Sequence, residues 1–323
     1  MIDDKLLFDV AVDYFINKKL QREIAEELGV SRVQVSKYLK LAEERGIVKI
    51  EVISPEISDE NQIKYEKILK KLFSLEKLIL APSYNNPERL LQSICKVASE
   101  YISNNIPNSH LNVGIGWGST MTKLANSYNL FEKDLWNIVP LSGGISQIAD
   151  ERFNINYIVQ NFAKNLNSKF TLIYLPFILE KNIKANIIKS SEFKKIVDLW
   201  NNLDVIIASV GYSISRSPLF RQNVIEGKYI NDLEHLNIVG DILTHYFDLY
   251  GEIHDLDFVE NIINISIEQY KNANLRIIVA GGLHKVESLI GLLRGQLVDV
   301  LITDRQTIEN VVNYLHEEGV DTY

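Results

Sequence analysis

From residue 77 onward, short apolar runs alternate with amphipathic segments, and this alternation restricts the fold more than any other feature of the chain. Strands are predicted at 77–80, 111–115, 137–141, 170–174, 204–209, 276–280 and 298–302. Helices are predicted between them, among them 87–103, 119–127, 155–167, 192–201 and 285–294. Strands that alternate with helices build a parallel sheet covered on both faces. Ligands of such sheets bind beyond the carboxyl ends of the strands. The strand-end loops are therefore the first place to look for function.

Four of those loops are rich in glycine: "GIGWGSTM" with Gly116 and Gly118, "LSGGISQ" with Gly143 and Gly144, "ASVGYS" with Gly211, and "VAGGLHK" with Gly281 and Gly282. Glycine lets backbone approach a ligand and exposes amide donors. In the first loop, Gly118, Ser119 and Thr120 precede a helix, an arrangement suited to an anion. A dinucleotide fingerprint fits less well. The glycines run G-x-G-x-G, and the acids at the right distance, Glu132 and Asp134, precede the next strand instead of ending it. No lysine follows the last glycine, which excludes a Walker loop. A small phosphate is the better match. Lys285 follows a Gly-Gly pair near the start of a helix, so its ammonium can reach the same rim. Asp241, after Gly240, can offer a carboxylate to sugar hydroxyls, whereas Asp248 and Gly251 read as a turn.

The first fifty residues follow a different pattern. In "LLFDVAVDYFI", Leu6, Leu7, Val10, Ala11, Tyr14 and Phe15 form one buried helical stripe. In "LQREIAEELGVSRVQVSKYLKLAEERGIV", Ile24, Ala25 and Leu28 line one helix, Gly29 breaks it and Ser31 caps the next. On that second helix Val33, Val35 and Leu39 are expected inside, with Arg32, Gln34, Ser36, Lys37 and Lys40 outside. This is the pattern of a helix-turn-helix with its recognition helix at 31–42. Arg32 and Gln34 suit base edges, Arg with guanine and Gln with adenine. Ser31, Ser36, Lys37 and Lys40 are candidates for further base or phosphate contacts. An amphipathic hairpin used only for dimerisation is the alternative. Residues 1–50 carry nine acidic and nine basic side chains, so only the helix's outer face, free of acids from 31 to 42, signals DNA. "GIVKIEVI" alternates like a strand, the expected wing of such a domain.

These signals divide the chain into a helix-turn-helix domain at 1–53, a linker at 54–59 and a doubly wound α/β domain at 60–323. The segment "NQIKYEKILKKLFSLEKLIL" is either a spacer helix or the first helix of the second domain. The net charge of −8 argues against a protein that coats nucleic acid but not against a reader with a local basic face. The single cysteine, Cys95, excludes an intrachain disulfide, fits a reducing cytoplasm and is expected as a packed thiol. No membrane association, secretory leader, metal spacing or Gly-x-Ser-x-Gly elbow is read from the chain, and no cofactor is expected.

Over nearly its whole length the sequence resembles the SorC family of bacterial transcriptional regulators. The stretches that carry the resemblance are "QREIAEELGVSRVQVSKYLKLAEERGIVKI", "VGIGWGSTM", "PLSGGIS", "VGDILTHYFDLYGE" and "VAGGLHKVESLIGLLRGQLVDVLITD". The resemblance implies an effector domain related to sugar-phosphate isomerases, a phosphorylated sugar or polyol as effector, and operator binding as a homodimer or homotetramer. It implies that Gly118, Ser119, Thr120 and Lys285 bind the phosphate, and that Asp241 and the loop after Gly143–Gly144 contact hydroxyls. In the family's deoxyribonucleoside regulators a lysine before that Gly-Gly forms a Schiff base. Ser142 stands there in this chain and cannot. The stretch "DERFNIN", with Arg152 and Asn156, is similar to the sorbose-type members and favours a hexose or polyol phosphate. The rival expectation is an isomerase-like enzyme with Asp241 or Glu252 as base; a third is a nucleotide sensor.

Overall fold

The structure is a computed structural model that describes residues 2–48, 59–127, 132–145, 150–212 and 217–321. The chain divides into two compact units, 1–54 and 55–323. In the first unit, α1 (Asp4–Ala11) runs into a π-turn at Val12–Ile16, followed by α2 (Gln21–Leu28) and α3 (Arg32–Glu44). Gly29 ends α2 with φ +63°, and the Ser31 hydroxyl caps α3 by accepting from the Gln34 amide at 3.2 Å. A left-handed residue costs a side chain roughly 1–2 kcal/mol, so glycine is the natural choice at that turn. Leu7, Val10, Ile24, Ala25, Val35, Leu39 and Ala42 form the buried centre. Val33 departs from expectation: it is 66% exposed, because it sits on the side of α3 opposite Val35 and Leu39. The second half of the expected wing and residues 54–58 of the expected linker lie outside the described residues, and Asp59 already belongs to a helix.

The second unit begins with α4 (Asp59–Leu72), then β1 (Lys77–Ala81), α5 (Pro87–Asn105), β2 (Asn112–Ile115), α6 (Ser119–Ala125) and β3 (Asn137–Pro140). Next come α7 (Ile155–Leu166), β4 (Lys169–Phe170), α8 (Lys181–Ile187), α9 (Ser191–Asn201), β5 (Val205–Ala208), α10 (Pro218–Arg221) and α11 (Ile230–His235). A hairpin, β6 (Ile238–Ile242) and β7 (His245–Asp248), precedes α12 (Ile267–Asn272), β8 (Leu275–Val279), α13 (Val286–Arg294), β9 (Val300–Asp304) and α14 (Arg305–Glu317). Helix α4 is part of this unit: its Tyr65, Ile68 and Leu69 join the core, and the Gln62 side chain accepts from the Leu80 amide at 3.2 Å.

Seven strands form one parallel sheet in the order β1-β9-β8-β5-β2-β3-β4. Successive side chains of a strand point to opposite faces, and both faces are buried here. On β5, Val205 and Ile207 face the layer of α5, α6 and α7, while Ile206 and Ala208 face that of α4, α9, α13 and α14. The expected strand at 170–174 shrinks to Lys169–Phe170 at the sheet edge. Past that point the backbone leaves the ladder, because the Asn156 side chain takes both the N–H and the C=O of Ile173, at 3.1 and 2.9 Å.

The strand order sets the position of a crevice. After β2 the chain moves to β3 on one side of the sheet. After β5 it moves to β8 on the other side. The neighbouring strands β2 and β5 thus send their connections apart, and their carboxyl ends flank a topological switch point.

Gly251 and Gly319 both take positive φ, +81° and +83°. A Cβ on Gly251 would lie 2.1 Å from the Gly295 nitrogen, whereas one on Gly319 meets nothing within 4 Å. Gly319→Ala should therefore cost about 1 kcal/mol of backbone strain, and Gly251→Ala about 3 kcal/mol or more, since strain and overpacking add. Urea unfolding of the two variants measures the difference, and equal losses would contradict this packing.

Candidate functional site

A cavity of about 420 Å³ opens at the switch point. Trp117, Gly118, Ser119 and Thr120, from the loop after β2, form one wall, and Ser209 to Tyr212, after β5, form another. Asp241 and Leu243 reach in from the β6–β7 hairpin, Lys285 from the loop after β8, and Asp150 and Arg152 from the segment before α7. Strand-end loops distant in sequence thus converge on one volume.

Lys285 is aimed there by its own loop. The Gly282 amide donates to Asp304 Oδ1 at 2.9 Å and to Thr307 Oγ1 at 2.7 Å, pinning the turn after β8 to the start of α14. A Cβ on Gly281 would meet the side-chain ends of Ile94 at 2.4 Å and Asp304 at 2.6 Å, so a larger residue would displace them. The Lys285 ammonium then donates to the Val210 carbonyl and lies 4.3 Å from the Tyr212 ring centroid. Burial pulls its pKa down to about 8, against the opposing pull of the Asp241 carboxylate. Burial in turn raises the Asp241 carboxyl, opposed by the Thr244 amide and by Lys285.

Asp241 also holds the hairpin tip. Leu243 and Thr244 have φ of +51° and +67°, unusual for residues with side chains, β-branched threonine above all. The Thr244 amide donates to Asp241 Oδ2 at 3.0 Å, and the Asn264 side chain donates to the Leu243 carbonyl and the Thr244 hydroxyl at 3.0 and 2.8 Å. The other oxygen, Oδ1, lies over Gly211, where a Cβ would stand 1.8 Å away. Gly211 is thus glycine because a carboxylate occupies its side-chain space.

The glycines divide into two groups. Gly118, at φ +112°, opens α6, but its own amide donates to the Arg152 carbonyl at 2.9 Å. At that wall Ser119 and Thr120 form the first turn of α6, with the Ser209 hydroxyl donating to Thr120 Oγ1 at 3.5 Å. Gly116 donates to Ile207 at 3.0 Å, Gly143 to Ile263 at 2.7 Å and Gly144 to Leu175 at 2.8 Å. These amides are spent on the protein's own backbone. Gly116, Gly143, Gly144, Gly281, Gly282 and Asn156 do not line the cavity among the described residues. Gly118, Ser119, Thr120, Arg152, Gly211, Asp241 and Lys285 do. The sequence reading passed over Trp117, Asp150, Tyr212, Arg221 and Leu243. Asp150 holds the Arg152 guanidinium in a forked ion pair, with two contacts at 2.9 and 3.0 Å. Arg221 had no signal, because α10 is brought to the cavity only by the chain's return over the sheet. Glu252 lies outside the cavity, in a turn closed by Asp248. Cys95 is buried and its thiol pKa is pushed up to about 12, a packed side chain.

In the first unit, Arg32, Ser36, Lys37 and Lys40 are exposed on α3, and Gln34 is half-buried. Lys40 stands 3.8 Å from Glu44, a distance at which an exposed pair contributes little. The Ser31 hydroxyl is engaged as the helix cap.

The family profile described as "Putative sugar-binding domain" matches residues 58–313. The chain belongs to the SorC family of sugar-binding transcriptional regulators. This regulator is 26% identical to the sorbitol operon regulator of Klebsiella pneumoniae over 95% of its own chain and 97% of that one. It is 27% identical to the deoxyribonucleoside regulator of Bacillus subtilis, covering 96% and 98% of the two chains. The crystal structure of the full-length Klebsiella regulator aligns with a TM-score of 0.75 over 96% of this chain and 99% of that one. The SorC-family regulator thus pairs DNA with a sugar ligand, and it is not an enzyme. No helix among the described residues is long and apolar enough to cross a membrane.

The Lys285 setting has a measurable consequence. The amine titrates near pH 8 in the folded chain against an ordinary 10.5. Between those values the unfolded chain holds the proton and the folded chain does not, so wild-type stability rises with pH across that window. Below pH 8 both forms hold it and the penalty is at full size. In Lys285→Met this contribution is absent. The wild-type unfolding free energy, minus that of the variant, should grow from pH 8 to 10.5 in urea titrations. A constant difference would refute the desolvated setting.

Proposed function

We propose that a phosphorylated sugar or polyol occupies the cavity between β2 and β5 and thereby controls the binding of operator DNA by α3. One observation carries this: Lys285 and the first turn of α6, Ser119 and Thr120, line the same cavity. A phosphate dianion is the ligand that uses several amides and an ammonium at once. Asp241, which lines the same cavity, is the acceptor for hydroxyls in this reading. Arg152 and Arg221 add positive charge at the rim, with Asp150 offsetting part of it.

Binding across several loops favours the arrangement that closes them, so it shifts a population between states of different operator affinity. The regulator acts as a homodimer or homotetramer in the cytoplasm, its paired recognition helices matched to half-sites about 34 Å apart. Similarity to a sorbitol operon regulator supports a hexose or polyol phosphate. Ser142, which cannot form an imine, argues against a covalent complex with deoxyribose 5-phosphate. Arg32, Gln34, Ser36, Lys37 and Lys40 form the DNA contacts, with Ser31 setting the start of the helix.

A thermal-shift panel of pentose, hexose and polyol phosphates, beside the unphosphorylated compounds, identifies the effector. A ligand present at a hundred times its Kd stabilises by about 2.7 kcal/mol, which is readily seen. With that ligand, Lys285→Ala should raise the effector concentration for half-response by at least about tenfold, the loss expected for a charged hydrogen bond, and leave effector-free operator affinity unchanged. Fluorescence anisotropy on operator DNA reads both. An unaltered response in the variant would remove Lys285 from the site.

A further inference from the structure

Helix α3 carries an apolar group where a DNA-reading helix has most to gain from one. Val33, Ser36, Lys37 and Lys40 follow the i, i+3, i+4, i+7 spacing and are all exposed, so they form one continuous outer stripe. The buried residues Val35, Leu39 and Ala42 occupy the opposite side. Val33 heads this stripe in the first turn of the helix, the end that meets base edges in a helix-turn-helix. It is 66% exposed and belongs to neither apolar cluster of its unit. Folding therefore gives no reason for it. A β-branched residue is in fact slightly poorer than alanine in a helix. Its neighbours on the stripe are polar or basic, and 31–42 holds no acid.

The apolar feature of a major groove is the thymine C5 methyl. Valine suits that contact, since its side chain is held near one rotamer in a helix and loses little freedom on docking. We propose that Val33 reads a thymine methyl group in each operator half-site, next to the bases engaged by Arg32 and Gln34. The inference rests on α3 being the recognition helix.

Selection from random duplex DNA with the full-length protein gives the operator, and each thymine is then replaced singly by deoxyuridine, which removes only the methyl. One position per half-site should lower wild-type affinity roughly fourfold, as expected for one buried methyl. Val33→Ala, which loses the contact in both half-sites, should bind the thymine duplex roughly sixteenfold more weakly than wild type, with unchanged thermal unfolding, and should lose nothing more at that uracil. All other uracil positions should affect both proteins alike. If no thymine shows this non-additivity while a sequence is still selected, Val33 is not a methyl reader. If Arg32→Ala and Lys37→Ala leave operator affinity intact, or no sequence is selected, the recognition-helix assignment falls and the inference with it.

Discussion

Every strand of the central sheet that lies inside the layer is buried on both faces, and this constraint organises the second unit. A doubly covered parallel sheet needs a crossover between successive strands, and the crossovers must split between the faces. Where they split, between β2 and β5, the strand ends flank the cavity. The cavity is the space this leaves. It owes its position to how the sheet is covered, and only its lining to the residues that happen to face it.

The lining is held by contacts spent within the protein. Most of the loop glycines donate their amides to backbone partners or side-chain caps, and several are glycine because a neighbour fills the place of a Cβ. Gly282 pinned to Asp304 and Thr307 directs Lys285, and Asp241, bonded to Thr244, shapes a hairpin tip whose backbone would otherwise be unfavourable. Burial has already desolvated the Lys285 ammonium. The same burial holds the lysine pKa near 8, a stability cost at neutral pH.

The two units solve different problems with the same economy. On α3 the helix cap, the buried stripe and the outer stripe use separate residues, so the outer face is free to vary without damage to the fold. Ser31 caps, Val35 and Leu39 pack, and Val33, Ser36, Lys37 and Lys40 face outward.

Much of this was legible in the sequence, because period and punctuation are local properties. Alternating apolar runs determined a parallel α/β unit, Gly29 and Ser31 determined a helix-turn-helix turn, and a lysine after Gly-Gly marked a cavity wall. The orientation of Val33 was not legible, since both Val33 and Val35 are apolar and only packing against α1 and α2 selects the inner one. Nor was the fate of each glycine amide: Gly116, Gly143, Gly144 and Gly282 read like ligand cradles, but their amides donate to segments remote in sequence. Asn156 likewise looked like a ligand contact and serves the backbone of Ile173 instead. Strand order, and with it the meeting of the β2, β5 and β8 loops with the hairpin, was decided only in three dimensions, because a parallel sheet records which strand follows which in the chain but not which strand lies beside it.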